Sequence, residues 1–237
     1  MNQLKNTFDV LIKLARYNLS IIFANKFIYF LLAAVIFFLL VTTISLLSSD
    51  SNPTEGSVYY LLLFPGILTV FYPTTFGIQN DVDSRMIEVL FGIPNYRYKV
   101  WLVRLILIYV AVFFILVVLG FLSALALAEI PVFNMVYQLM FPIFFIGSLA
   151  FMFSTVIRNG NGTAVVMVII GMAFWIASGI ISHSKWNLFL NPFLIPSEVN
   201  EAIWADIVLK NRIYLAVGTV LLLLYGLLNL QKREKYV

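Results

Sequence analysis

The chain has 237 residues, of which 62% are hydrophobic and 11% charged, with no cysteine and a formal net charge of +4. A soluble domain has roughly 25% charged residues, so this composition excludes an ordinary water-soluble fold. The absence of cysteine excludes disulfides, thiol nucleophiles and thiolate metal sites, and cations scattered beside apolar runs argue against nucleic-acid binding. We therefore predict an all-α, polytopic membrane protein in which residues 1–237 form a single transmembrane domain.

Residues 1–26 precede the first long apolar run and carry apolar side chains at helical spacing, with Lys5, Lys13 and Arg16 on the opposite face. This pattern is typical of an amphipathic helix that lies in the headgroup plane of a membrane. A helix packed on a cytoplasmic partner has the same pattern. The apolar run that follows is too long for the core of a signal peptide, which has about 7–15 residues, so we expect an uncleaved first span.

Six apolar stretches are each near the length of about 20 residues that a spanning helix needs. Because backbone groups find no water in hydrocarbon, each stretch is predicted to be helical. Placing the N-terminus in the cytoplasm puts twelve of the fifteen Lys and Arg residues on that side and leaves Lys185, Lys210 and Arg212 outside, as the positive-inside rule requires. We therefore predict a multi-pass protein of the cell membrane with both termini cytoplasmic. The predicted spans lie near 27–47, 58–78, 103–126, 133–156, 163–183 and 212–230.

The second predicted span contains two prolines, and the fifth carries a strip of small residues. Proline and glycine allow kinks and close approach of spanning helices, and threonines can bind freed backbone groups. These features indicate either plain helix packing or a pathway bordered by spans two and five. The residues that would line such a pathway are Thr69, Tyr72, Thr74, Thr75 and Ser178.

Two connections are long enough to have structure of their own. In the cytoplasmic connection 79–99, Asp81 and Asp83 are predicted to start a short helix, since acidic groups suit the positive end of the helix dipole, and proline is predicted to end it. The outer segment 184–211 is rich in aromatic residues and is predicted to associate with the membrane surface. Within it, Ser197 is predicted to cap a helix that runs to about residue 210.

No catalytic set is visible in the sequence. An intramembrane enzyme or proton pump needs buried ionisable groups, yet no Asp, Glu, Lys or Arg lies in the middle third of any predicted span. His183 is the only histidine and is predicted to be an ordinary interfacial residue. The run Asn159–Gly162 lacks the Lys-Ser/Thr ending of a phosphate-binding loop and is predicted to be a tight turn. We therefore predict no catalytic residue, no metal site and no cofactor in this chain.

The order of the elements resembles that of the permease subunits of type-2 ABC exporters. Those subunits have a cytoplasmic elbow helix, six spans, a coupling helix between spans two and three, and a membrane-dipping segment between spans five and six. Asn191-Pro192-Phe193 resembles a short motif in the last outer loop of that family, whereas Arg85-Met86 stands where its coupling loop usually has Gly-Thr. The residues of the loop that match the family pattern are Asp83, Ile87, Glu88, Leu90, Pro94 and Arg104.

The resemblance implies that the chain exports a substrate when separate cytoplasmic ABC ATPase subunits bind and hydrolyse ATP with Mg²⁺. It also implies a second permease subunit, either another copy or a related protein, and a setting among membrane lipids without nucleic acid. Residues 1–26 would be the elbow helix. A non-transporting membrane scaffold or immunity-type protein that acts through its outer loop is the alternative. The residues implied in the coupling helix are Asp83, Arg85, Ile87, Glu88, Leu90 and Pro94.

Overall fold

The computed structural model describes residues 27–48, 53–83 and 96–230, with the side chains of 96–99 left out. The described part of the chain forms six helices and contains no strand. All six are long and apolar enough to cross a membrane, so the predicted all-α fold with six spanning helices is confirmed. The helices are α1 (Phe27–Leu47), α2 (Glu55–Asp83), α3 (Tyr96–Ala126), α4 (Val132–Ile157), α5 (Gly160–Ile180) and α6 (Glu201–Leu230).

Two predicted elements lie outside the described residues. The amphipathic helix predicted at 1–26 is one of them. The central part of the predicted coupling helix is the other, and it contains Arg85, Ile87, Glu88, Leu90 and Pro94. Both elements therefore remain predictions.

Long-range hydrogen bonds mark the two ends of the bundle. At one end, the Gly160 amide donates to Gln79 Oε1 at 2.5 Å, which joins the start of α5 to the end of α2. We call this the Asp81 end, because the last turn of α2 contains Asp81. At the opposite end, Asn191 Nδ2 donates to the carbonyl of Gly56 at 2.8 Å, and we call this the Asn191 end.

Helices α2 and α4 form the centre of the bundle, whereas α1 and α5 lie at its edge. In the most apolar window of each helix, 67% of α2 and 61% of α4 is buried, against 17% of α1 and 11% of α5. Tyr59, Leu62, Leu139 and Ile143 are fully buried where α2 and α4 meet the rest of the core. The apolar faces of α1 and α5 are therefore left for lipid or for another chain.

Helices α2, α3 and α4 pack closely against one another at Gly147. A Cβ at this position would lie 2.8 Å from Val70 Cγ2 on α2 and 2.8 Å from the Tyr109 hydroxyl on α3. That hydroxyl is 3.1 Å from Ser148 Oγ and 3.3 Å from the carbonyl of Phe144. Small residues at such contacts let spanning helices approach each other closely, so glycine is required at this crossing.

Gly147→Val is expected to lower the free energy of unfolding by about 2 kcal/mol, because overpacking a tight contact costs about 1–3 kcal/mol. Thermal unfolding of the purified protein in detergent measures the change. Gly171→Val is the matched control, since a Cβ at Gly171 would meet no heavy atom within 4 Å. Equal melting temperatures for the two variants would contradict the packing assigned to Gly147.

Helices α4 and α5 are joined by only two residues. Arg158 ends α4 in the left-handed conformation, with φ 61° and ψ 1°, and its amide donates to the carbonyl of Ser154. Asn159 then caps α5, because its Oδ1 accepts hydrogen bonds from the amides of Asn161 at 2.9 Å and Gly162 at 3.1 Å. The turn predicted over Asn159–Gly162 is thus shorter than expected, and α5 begins within it.

Helix α6 is one continuous helix of 30 residues. Its cap is Asn200, whose Oδ1 accepts a 3.1 Å hydrogen bond from the amide of Ala202. The prediction that Ser197 caps a separate outer helix is therefore wrong, and the predicted last span is the second part of a longer helix. The segment 181–200 before it consists of turns.

Asparagine side chains satisfy the backbone of the segment 181–200 in a repeated manner. Oδ1 of Asn187 accepts from the amide of Phe189, and Oδ1 of Asn191 accepts from the amide of Phe193, both at 3.0 Å. Such local bonds let a chain turn without helix or sheet. The segment is therefore an ordered part of the Asn191 end.

Candidate functional site

A buried ion pair joins α2 to α3 at the Asp81 end. Arg104 Nη1 donates to Asp81 Oδ2 at 2.5 Å, and the two side chains are 5% and 4% exposed. The guanidinium lies 5.2 Å from the ring centroid of Trp101. A Cβ at Gly77 on α2 would come within 2.8 Å of that ring. Charge and close packing thus hold together the two helix ends that flank residues 84–95.

The structure corrects the prediction for Asp81 and Asp83. Both lie in the last turn of α2, whereas the prediction placed them at the start of a separate helix. A carboxylate near the C-terminal end of a helix is disfavoured by the helix dipole. The ion pair with Arg104 offsets this unfavourable interaction for Asp81. Asp83 is exposed, and it accepts a 3.4 Å hydrogen bond from Gln79 Nε2.

A second buried cation, Arg212, lies at the Asn191 end, and its residue is 5% exposed. Its Nε donates to Gln138 Oε1 at 2.8 Å and its Nη1 to Asn211 Oδ1 at 2.9 Å. Its Nη2 donates to the Tyr59 hydroxyl at 3.4 Å and to the carbonyl of Leu190 at 3.2 Å. This network connects α2, α4, α6 and the segment 181–200 through one side chain.

The partners of Arg212 are all neutral. Where side chains are described, the ion pairs found are Asp81–Arg104 and Asp206–Lys210. The guanidinium is therefore stabilised by dipoles, and burying a charge in this way is costly unless the hydrogen bonds are all made. Any movement of the segment 181–200 away from α6 breaks at least one of them.

The sequence places Arg212 outside, at the start of the predicted last span, and does not indicate this network. In the structure, eleven residues of α6 precede it, because the helix begins at Glu201. The absence of proline and glycine between Glu201 and Ala216 was the available signal, since it predicts an uninterrupted helix. No comparable sequence pattern predicts that the Arg212 side chain is buried.

The predicted pathway residues on α2 are buried within the bundle. Thr69 and Thr74 are 0% exposed, and their hydroxyls donate to the carbonyls of Pro65 at 2.9 Å and Val70 at 2.7 Å. The hydroxyl of Thr75 has no hydrogen-bond partner among the described residues. These threonines therefore face the interior of this single chain.

Tyr72 and Ser178, the other two predicted pathway residues, lie in different places. Tyr72 is 4% exposed and stacks on Phe30 of α1 with the ring centroids 4.9 Å apart. Ser178 is half-buried on α5, where its hydroxyl donates to the carbonyl of Trp175 at 2.7 Å. Ser178 also shares a cleft with Tyr60, and Tyr60 is about 14 Å from Thr69 along α2 at 1.5 Å per residue. The structure does not bring the five residues together.

These observations define a multi-pass α-helical membrane protein with a buried cation at each end of its bundle. Comparisons of the chain with protein-family models, curated proteins and solved structures find no match.

Proposed function

We propose that the chain is the membrane-spanning permease subunit of an ATP-driven ABC exporter in the cell membrane. The resemblance of its sequence to type-2 permeases supports this proposal. The observation that carries it is the pairing of α2 with α3 through Asp81 and Arg104. This pair lies beside residues 84–95, which would contact the ATPase. In this proposal the Asp81 end and both termini are cytoplasmic.

The ion pair gives the loop a mechanical connection to the bundle. A force applied to residues 84–95 would move α2 and α3 as one body, because separating them would expose two buried charges. Helix α2 packs against α1, α3, α4 and α5, so its tilt would reach most of the bundle. Such rigid movement between two packings is a common basis of switching in proteins. The energy would come from ATP and Mg²⁺ bound by the ATPase subunits, and a second permease subunit would complete the transporter.

Co-purification from the native membrane tests this function. The tagged chain is expected to bring down a P-loop ATPase, identified by mass spectrometry, and Glu88→Arg is expected to weaken that association because it reverses a charge in the contacting loop. Glu129→Arg is the control, since Glu129 is exposed in the connection between α3 and α4, away from the loop.

Two outcomes would contradict the proposal. The first is that no ATPase co-purifies with the tagged chain. The second is an ATPase whose association is insensitive to Glu88→Arg and sensitive to Glu129→Arg. In either case, loss of function after changes in residues 184–211 would support the alternative, a non-transporting scaffold that acts through its outer segment.

A further inference from the structure

The buried residues of helix α5 all lie in its first half. Its buried residues are Gly160, Thr163 and Met167, all within its first eight positions. A Cβ at Gly171 or Gly179 would meet no heavy atom within 4 Å. The second half of α5 therefore has much open surface toward the Asn191 end, although the Phe174 ring centroid lies 6.3 Å from that of Phe145 on α4.

Several hydrogen bonds fasten the segment 181–200 to α2 and α6. Asn191 bonds the carbonyl of Gly56 on α2 at 2.8 Å. Trp204 Nε1 on α6 donates to the carbonyl of Pro192 at 3.1 Å, and the Asn211 side chain donates to the carbonyls of Lys185 and Asn187 at 2.9 Å and 2.8 Å. These bonds fix the position of the segment relative to α2 and α6.

A cleft of about 650 Å³ lies between α5 and this segment. The volume is within the range of roughly 300–1,000 Å³ that is typical of small-molecule sites. Aromatic rings form its apolar wall, with Trp175 and Phe189 6.0 Å apart and Trp204 6.3 Å from His183. None of the described residues that line it is Asp, Glu, Lys or Arg.

We propose that this cleft binds a neutral single-chain amphiphile. The aromatic wall offers apolar contact to a chain that enters laterally from the membrane, beside the exposed half of α5. Ser182 and His183, exposed where α5 ends, offer hydrogen bonds to an uncharged polar head. A charged head would lose hydration without an opposite charge in the wall. The position suits such a ligand, since aromatic and polar groups meet at membrane interfaces.

The absence of cysteine from the chain permits a direct test by single-cysteine labelling. Ser182→Cys is labelled with a maleimide in phosphatidylcholine nanodiscs, with and without monoolein. Monoolein is expected to slow labelling several-fold, because a ligand in the cleft would cover position 182, which lines it. Lysophosphatidic acid with the same acyl chain is expected to protect far less. Ser197→Cys, exposed on the same segment and outside the cleft, is expected to label at one rate throughout.

Filling the cleft supplies a second test. Gly179 lines the cleft, so Gly179→Phe in the Ser182→Cys background is expected to abolish protection by monoolein. Gly171 has equally open surroundings but lies outside the cleft. Gly171→Phe in the same background is therefore expected to retain protection by monoolein. Equal protection of Ser182→Cys and Ser197→Cys, or equal protection by the anionic lipid, would overturn the proposal. The assay contains no ATPase, so its failure would leave the proposed transport function standing.

Discussion

Arg212→Met is expected to lower the free energy of unfolding by about 3 kcal/mol. The change removes four hydrogen bonds and leaves acceptors on Gln138, Asn211 and Leu190 without their donor. Each buried unsatisfied group costs about 1–3 kcal/mol. Removing a buried charge offsets part of that sum, because neutral partners compensate a cation incompletely. Chemical unfolding of the purified protein in detergent measures the difference.

Two further variants separate the geometry of Arg212 from its charge. Lys210→Met is the matched control, since Lys210 is 51% exposed and paired only with exposed Asp206, and such pairs contribute about 0.2–1 kcal/mol. Arg212→Lys keeps the charge, but a single nitrogen cannot replace the planar fork of donors. It is therefore expected to be less stable than the parent. Parental stability for Arg212→Met would show that the network does not hold the Asn191 end together.

Asp81→Asn is expected to destabilise the chain by about 3 kcal/mol, because it leaves the Arg104 charge buried without its counter-charge. The double variant Asp81→Leu with Arg104→Met is expected to recover most of this loss. Replacing both members of a buried pair by hydrophobic residues of similar volume is often neutral. The same unfolding measurement in detergent compares the single and double variants.

Asp83 provides the control for that comparison. It lies two residues from Asp81 and is exposed, so Asp83→Asn is expected to change the free energy of unfolding by less than about 0.5 kcal/mol. A double variant no more stable than Asp81→Asn would indicate that Arg104 matters through other contacts and not through the ion pair. The double variant also tests the proposed mechanism, since a stable bundle without the pair is expected to respond less to the proposed ATPase partner.

The number and type of the spanning helices could be predicted from composition, because long uncharged runs require helices in hydrocarbon. Their ends could not be predicted in the same way. Helix α2 continues past its predicted end to Asp83, and α6 begins before its predicted start, at Glu201. Both extensions contain polar residues. Hydropathy measures the apolar length of a segment, whereas caps such as Asn200 determine where its helix begins.

The buried polar contacts were beyond prediction because they join residues far apart in the chain. Asp81 and Arg104 are 23 residues apart, and Arg212 contacts residues 74 and 153 positions away. No local pattern identifies such partners. The sequence indicates the threonines of α2 as candidate pathway residues. Their burial, however, depends on how α4 packs on α2, and this contact is likewise long-range.

The two-residue connection between α4 and α5 has a consequence for how the chain is made. Because only Arg158 and Asn159 join the two helices, we expect that α4 does not partition into the bilayer while α5 remains in the aqueous phase. We expect the pair to leave the translocon together as a helical hairpin during synthesis. Lengthening this connection is then expected to slow membrane integration without changing the final fold.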